Sequence, residues 1–224
     1  MSEPTRVLAI RHGETAWNVD TRIQGQLDIP LNAVGERQAE RLAAALAEEG
    51  LQAIYASDLS RAHQTAHAVS RATGVPVQST RELRERAFGD FEGHTYKEIE
   101  ARWPAESERW RKRDVDFRPG GHGESLRMFY DRCVQAASRL AAAHLGQTIA
   151  LVAHGGVMDC LYRAASRLDL QAARSWQLGN ASINRLLFAE GGFTLIGWSD
   201  TSHLEGVVLD ETQDGRPDRV GHAA

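Results

Sequence analysis

Val7-Leu8-Ala9-Ile10-Arg11-His12-Gly13 and, far along the chain, Thr148-Ile149-Ala150-Leu151-Val152-Ala153-His154-Gly155-Gly156 have the same design. Each holds a short apolar run, Val7 to Ile10 and Ile149 to Ala153, that gives way to a histidine followed by glycine, with Arg11 before the first histidine. Runs of about four to eight apolar residues mark strands covered on both faces. In open α/β sheets, ligands bind beyond the carboxyl ends of the strands, which is where both histidines fall. The glycines permit sharp reversal and close backbone approach to a ligand. A helix starting after such a loop also offers backbone N–H groups to an anion.

Outward from these runs, helical and strand-like stretches alternate. Ala33 to Glu48 is a predicted helix with Asn32 as N-cap and Gly50 past its end. Gln52 to Ala56 reads as a strand, and Asp58 to Thr73 as a helix stopped by Gly74 and Pro76. Between Glu124 and His144, Leu126, Phe129, Tyr130, Cys133, Ala137, Leu140 and Ala141 form a continuous apolar stripe at helical spacing. Another helix follows Gly155-Gly156, with Val157, Met158, Leu161, Ala165 and Leu168 on one face. Ile183 to Phe188 and Phe193 to Trp198 flank Gly191-Gly192 as a hairpin. Residues 91–122, rich in charge, Trp and Gly, read as short helices covering a site. This alternation predicts an α/β sandwich in one domain over residues 1–204. A polar, partly disordered tail is expected over 205–224.

Composition narrows the function classes. The 224-residue chain is 42% hydrophobic and 25% charged, as expected of a globular protein with a full core. Its net charge of −4 offers no overall attraction to nucleic acid or an anionic membrane. An anion site must therefore be a local concentration of cations. No run approaches the ~18 apolar residues of a membrane span, and no signal-peptide core is present, so the expected location is cytoplasmic. Cys133 and Cys160, the only two cysteines, have no metal-ligand spacing and are expected as buried reduced thiols.

Four blocks of sequence carry a specific pattern. The first is Arg11-His12-Gly13-Glu14-Thr15 with Trp17-Asn18, then Gln24-Gly25, Pro30-Leu31 and Gly35. The second is Ala56-Ser57-Asp58-Leu59-Ser60-Arg61-Ala62 with Thr65-Ala66. Leu83-Arg84-Glu85-Arg86 with Phe88-Gly89 and Phe91-Glu92-Gly93 is the third, and Ala153-His154-Gly155-Gly156 the fourth. In this order they resemble the histidine phosphatase, or phosphoglycerate mutase-like, superfamily over nearly the whole chain. The resemblance implies a three-layer αβα sandwich around a mostly parallel sheet. It implies a phosphomonoester hydrolase acting through a phosphohistidine on a small phosphorylated metabolite, with no metal or other cofactor. Family habit adds a homodimer.

Phosphoryl transfer depends on positioning and on cations around the equatorial oxygens. A histidine serves as nucleophile if its ring is neutral and held in one orientation, and nearby guanidiniums disfavour the imidazolium form. The resemblance makes His12 that nucleophile, Glu85 the proton donor and acceptor, and His154 a third catalytic residue that shares the phosphate cage. Arg11, Asn18, Gln24, Arg61 and Gly155 complete the expected phosphate-binding set. Other readings stand beside these. Arg61 can solvate a helix start, Glu85 can belong to a surface charge cluster with Glu82 as the competing acid, and Asn18 can be a turn residue. Ser125, just before the long helix, is a candidate substrate contact. His63 and His67, four apart on one helix, have metal-ligand spacing but no evident third ligand. The alternatives to a phosphatase are a phosphoglycerate mutase using the same phosphohistidine and a non-catalytic phospho-ligand binder. The mutases carry a lysine shortly after their equivalent of Glu92-Gly93, where this chain has Tyr96 and then Lys97. Gly120 to Ser125 resembles the phosphatase branch.

Overall fold

Alternate residues of the buried strands face two different helical layers. Val7, Ala9, Ile149, Leu151 and Ala153 pack with Phe129, Cys133, Ala137, Val157, Met158 and Leu161. Leu8, Ile10, Ile54, Ala56, Ala150 and Val152 pack on the opposite side with Leu42, Leu46, Ala62, Ala66 and Val69. A computed structural model describes residues 3–205. Its strands are β1 (Thr5–Arg11), β2 (Ala53–Ser57), β3 (Val77–Thr80), β4 (Thr148–Ala153), β5 (Ile183–Ala189) and β6 (Gly192–Asp200). They form one sheet in the order β3-β2-β4-β1-β5-β6. The first four strands in that order run parallel, while β5 pairs antiparallel with both β1 and β6. The fold is therefore an αβα sandwich on a mostly parallel sheet.

The helices are α1 (Ala16–Val19), α2 (Ala33–Leu46), α3 (Ser60–Thr73), α4 (Tyr96–Arg102), α5 (Pro104–Arg111), α6 (Leu126–Ala142) and α7 (Gly155–Ser166). The core contacts put α2 and α3 on one face of the sheet and α6 and α7 on the other. Asn32 caps α2 by accepting from the Gly35 N–H at 2.8 Å, as its position in the sequence predicts. The α3 helix starts at Ser60 rather than Asp58, and the long stripe helix is shorter than expected, because Ser125 is its N-cap. Strand β3 has no counterpart in the sequence reading. Val77-Gln78-Ser79-Thr80 holds one apolar residue and pairs only with β2, so an edge position leaves it no core periodicity to display. The predicted tail lies outside the described residues, apart from Glu205. Among the described residues, no helix is long and apolar enough to cross a membrane.

Between β3 and α6 the chain leaves the sheet. Phe91, Ile99 and Phe117 make a small core of their own, with Trp103 and Trp110 against it. This holds α4 and α5 over the carboxyl ends of the strands.

Candidate active site

Parallel pairing of β1 with β4 sets Arg11 opposite Ala153, so the next residues, His12 and His154, leave the sheet side by side. Their rings meet edge-on with centroids 5.2 Å apart. The His12 N–H donates to the Ala153 carbonyl at 2.9 Å. Nδ1 of His12 lies 2.6 Å from the Gly13 carbonyl oxygen. A carbonyl can only accept, so Nδ1 carries the proton and Nε2 keeps its lone pair. Burial, then the charges of Arg61 and Arg11, hold this imidazole well below its ordinary value, against the opposing pull of the Gly13 hydrogen bond. The ring is neutral and held in one tautomer.

Arg61 stands on the first turn of α3 and is 1% exposed. Its Nη1 donates to the Leu27 carbonyl at 2.9 Å, its Nη2 to the Gly25 carbonyl at 2.8 Å and its Nε to Nδ1 of His154 at 3.2 Å. Burial pushes its pKa down to about 10, which leaves it charged at neutral pH. Gly25 sits at φ 51°, and a Cβ there would fall 2.1 Å from Oε1 of Glu92. That same oxygen accepts from the Gln26 and Phe88 N–H groups at 3.1 and 2.9 Å. Glu92 thus pins the loop whose carbonyls orient Arg61.

His154 stands beside His12 and bonds to other protein groups through both ring nitrogens. It is fully buried, with Arg61 donating to Nδ1 and Ser57 Oγ 2.8 Å from Nε2, which therefore carries the ring proton. Burial first, then Arg61 and His12, holds it well below its ordinary value. Of the expected residues, Arg11, His12, Asn18, Gln24, Arg61, Glu85 and Gly155 line one cavity of about 450 Å³. His154 is not on that wall.

Asn18 both caps and lines. Its Oδ1 accepts from the Thr15 N–H and hydroxyl, each at 3.0 Å, in a capping box that opens α1. This fixes which end of the amide is spent on the fold. Gln24 is 9% exposed, and its side-chain carbonyl has no partner among the described residues. The Arg11 guanidinium donates to the Leu178 carbonyl.

Glu85 follows the turn Arg81–Leu83 after β3. Its Oε1 accepts from the Arg86 N–H at 2.8 Å and its Oε2 from the Gly156 N–H at 2.9 Å. An amide of the α7 N-terminus, expected for a ligand anion, is thus given to the Glu85 side chain. A Cβ on Gly156 would come within 2.2 Å of Glu85, which explains the second glycine of the motif. Glu82 is exposed and paired with Arg139, away from the cavity wall. Of the two acids, Glu85 is the one that lines the cavity.

Sequence reading missed what holds Glu85. Arg132 on α6 donates to the carbonyls of Glu82, Arg84 and Glu85, at 2.8, 3.0 and 3.2 Å, while both Glu124 oxygens bind it at 2.7 Å. Glu124 also accepts from the Ala87 N–H. Arg132→Met keeps the aliphatic stem and removes every donor. With Glu85 as the proton donor that the sequence resemblance implies, the variant is expected to lower kcat about tenfold with little change in KM, because a loosened carboxyl group would miss its target. Steady-state kinetics checks this, and an unchanged kcat would remove Arg132 from the mechanism.

Arg86 is a further unforeseen wall residue. It is 3% exposed, donates to the Glu124 and Phe117 carbonyls, and has its pKa lowered to about 10 by burial. Tyr96 and Trp110, stacked at 4.6 Å, bring the 91–122 segment into the cavity wall with Arg113, and Arg174 joins them from beyond α7. Ser125 is not on that wall, and its hydroxyl accepts from the Met128 N–H as a cap. Cys133 and Cys160 are free and buried, with burial pushing the Cys160 thiol well up. Among the described residues, no group of three His, Cys, Asp or Glu is disposed to hold a metal ion, so His63 and His67 remain a ring pair at 4.4 Å.

The two neutral imidazoles make stability depend on pH. In the unfolded chain they titrate near 6.5, while in the fold both values lie well below that. The unfolded state therefore binds more protons as pH falls below about 6.5, and the folded state loses stability there. Above that pH both states are neutral and this contribution is complete. The limit of this dependence is two protons taken up on unfolding. Tm is expected to be flat above about pH 7 and to fall between about pH 6.5 and 5.5. Thermal denaturation followed by circular dichroism checks it, and a Tm flat through that window would contradict buried neutral rings.

Comparison with known proteins gives a consistent answer. Residues 7–201 match the family model described as histidine phosphatase superfamily (branch 1). The chain is 40% identical over 204 residues to phosphoglycerate mutase-like protein 4 of Arabidopsis thaliana, covering 89% of this chain and 86% of that one. It is 36% identical over 208 residues to a metal-independent phosphoserine phosphatase of Arabidopsis thaliana, covering 92% and 86%. Among solved structures, a mycobacterial glucosyl-3-phosphoglycerate phosphatase superposes with a TM-score of 0.78 at 32% identity, covering 89% of this chain and 100% of that one.

Proposed function

The chain belongs to branch 1 of the histidine phosphatase superfamily, and from that membership we propose that it hydrolyses small phosphomonoesters through a phosphohistidine on His12. The observation that carries the reading is the neutral His12 ring, locked by the Gly13 carbonyl, sharing one cavity with Arg11, Arg61 and Glu85. Nε2 of His12 attacks phosphorus as the bond to the leaving oxygen breaks, and the Glu85 carboxyl gives that oxygen its proton. In the second half, Glu85 takes a proton from water as the water oxygen attacks phosphorus. The phosphorus–nitrogen bond breaks, and the neutral ring is restored. Arg11 and Arg61 neutralise the equatorial oxygens, with Asn18 and Gln24 as neutral partners and the Gly155 amide beside them. His154 acts from behind, because accepting the Arg61 Nε–H sets the plane of that guanidinium.

The names of the relatives support a substrate that also carries a carboxylate, and phosphoserine and 3-phosphoglycerate are the first to test. Release of inorganic phosphate from a panel of phosphometabolites, with kcat/KM for each, tests the reading. Activity is expected to persist in EDTA, because side chains supply both nucleophile and counter-charge. Complete loss in EDTA, restored by a divalent ion, would overturn the mechanism. Failure to turn over a chromogenic phosphomonoester would leave a binding module.

A mutase reading is kept by Arg113 and Arg174 on the cavity wall, cations suited to a second anionic group. Against it, Lys97 is exposed while Tyr96 occupies the wall. Conversion of 3- to 2-phosphoglycerate dependent on bisphosphoglycerate would favour the mutase. The free thiols suit a reducing compartment, which supports the cytoplasm. The proposal includes no nucleic acid or membrane partner, and a second copy of the chain as the one protein partner.

A further inference from the structure

His203 lies in the turn Ser202–Leu204, which packs against α2 behind the nucleophile loop. Its Nε2 is 3.1 Å from the Ala181 carbonyl, so Nε2 carries the ring proton. Nδ1 is then a bare acceptor, buried and without a partner among the described residues. Ala181 is fully buried at φ 53°, a left-handed conformation disfavoured for alanine. Its N–H donates to the His12 carbonyl at 3.1 Å, and Nδ2 of Asn180 donates to the same oxygen at 3.0 Å. The backbone of the nucleophile is therefore held on one side by Ala153 and on the other by a residue in a disfavoured conformation.

We infer that His203 is a positioning residue for His12, acting through the main chain of Ala181. Its N–H holds the Ala181 carbonyl and so keeps that residue left-handed, the conformation in which the Ala181 N–H meets the His12 carbonyl. Released from His203, Ala181 relaxes toward ordinary backbone angles, and the Ala181 N–H turns away from His12. The ring, tied to its own backbone through Gly13, moves with it. Burial lowers the His203 imidazole below its ordinary value, while the Ala181 hydrogen bond and Asp200 oppose that. The ring is thus a neutral donor at neutral pH.

The inference rests on the phosphohistidine reading, so the test has one arm independent of turnover. His203→Phe keeps a ring and removes the donor, while His203→Gln keeps a side-chain N–H. Rapid-quench kinetics on a chromogenic phosphomonoester is expected to show phosphoenzyme formation slowed about tenfold in His203→Phe, with KM within about twofold, and largely restored in His203→Gln. In an Ala181→Gly background, glycine adopts that φ unaided, so His203→Phe is expected to cost much less. Nitrogen-15 NMR of the His12 ring is expected to show the Nδ1-protonated form in the parent and in His203→Gln, and a mixture in His203→Phe. An undisturbed His12 ring in His203→Phe overturns the inference whether or not the parent turns over. Equal losses in both His203 variants, or an unchanged penalty in the Ala181→Gly background, also overturn it. A parent with no turnover overturns the phosphatase reading alone.

Discussion

His12→Ala is expected to lower kcat by at least about 10⁴-fold and to abolish phosphoenzyme formation, because no other group presents a lone pair at the same place. The neighbouring imidazole cannot replace it. His154 is off the cavity wall, its Nδ1 accepts from Arg61 and its Nε2 proton faces Ser57. The fold is expected to survive, since the ring removed is neutral and, among the described residues, the Gly13 carbonyl is the one acceptor it leaves. Acid-labile, base-stable phosphate trapped by quenching is the measurement. A variant that still accumulates it would move the nucleophile elsewhere, whereas a variant with high residual turnover and no trapped phosphate would indicate direct attack by water.

Arg61→Ala is expected to lose both activity and stability. A guanidinium on the transferring phosphoryl group contributes about 10³ to 10⁵ in rate in related chemistry. Here the same group donates to two loop carbonyls and to His154. Orphaning buried acceptors costs about 1–3 kcal/mol each, so a loss of about 3–5 kcal/mol is expected after the loop relaxes. Arg61→Lys keeps the charge but cannot serve three acceptors from one ammonium, and it is expected to recover stability only in part. Removing the cation also removes a charge that holds His12 and His154 neutral. Both rings are then expected to protonate at higher pH, moving the acid limb of kcat/KM upward. Urea denaturation and a pH–rate profile check the two halves separately. A variant with near-parent kcat/KM and an unmoved acid limb would reduce Arg61 to a structural role.

Legibility differed by element. The strands β1 and β4 and the stripe of α6 were readable because each is a local pattern imposed by a core that covers them fully. Strand β3 was not, since one apolar residue at a sheet edge is no pattern. Of the site, Glu85 was legible through the resemblance of its block, while Glu82, three residues away, stood beside it as a competing acid. The location of Glu85 came from contact with Gly156, 71 residues away in sequence. No pattern in the sequence singled out Arg132, yet with Glu124 it clamps the loop that carries Glu85.

The sequence by itself determined which residue types stand at the ends of which strands, and hence the phosphate chemistry and the family. Short-range codes suffice for that, because apolar periodicity, caps and turn glycines act within a few residues. Only the tertiary structure decided what each polar group spends its hydrogen bonds on. His154 bonded to Arg61 and Ser57, Gly156 gave its amide to Glu85, and Ser125 became a cap. Those partners arrive from other elements, and a buried donor or acceptor must take whichever partner packing brings within reach.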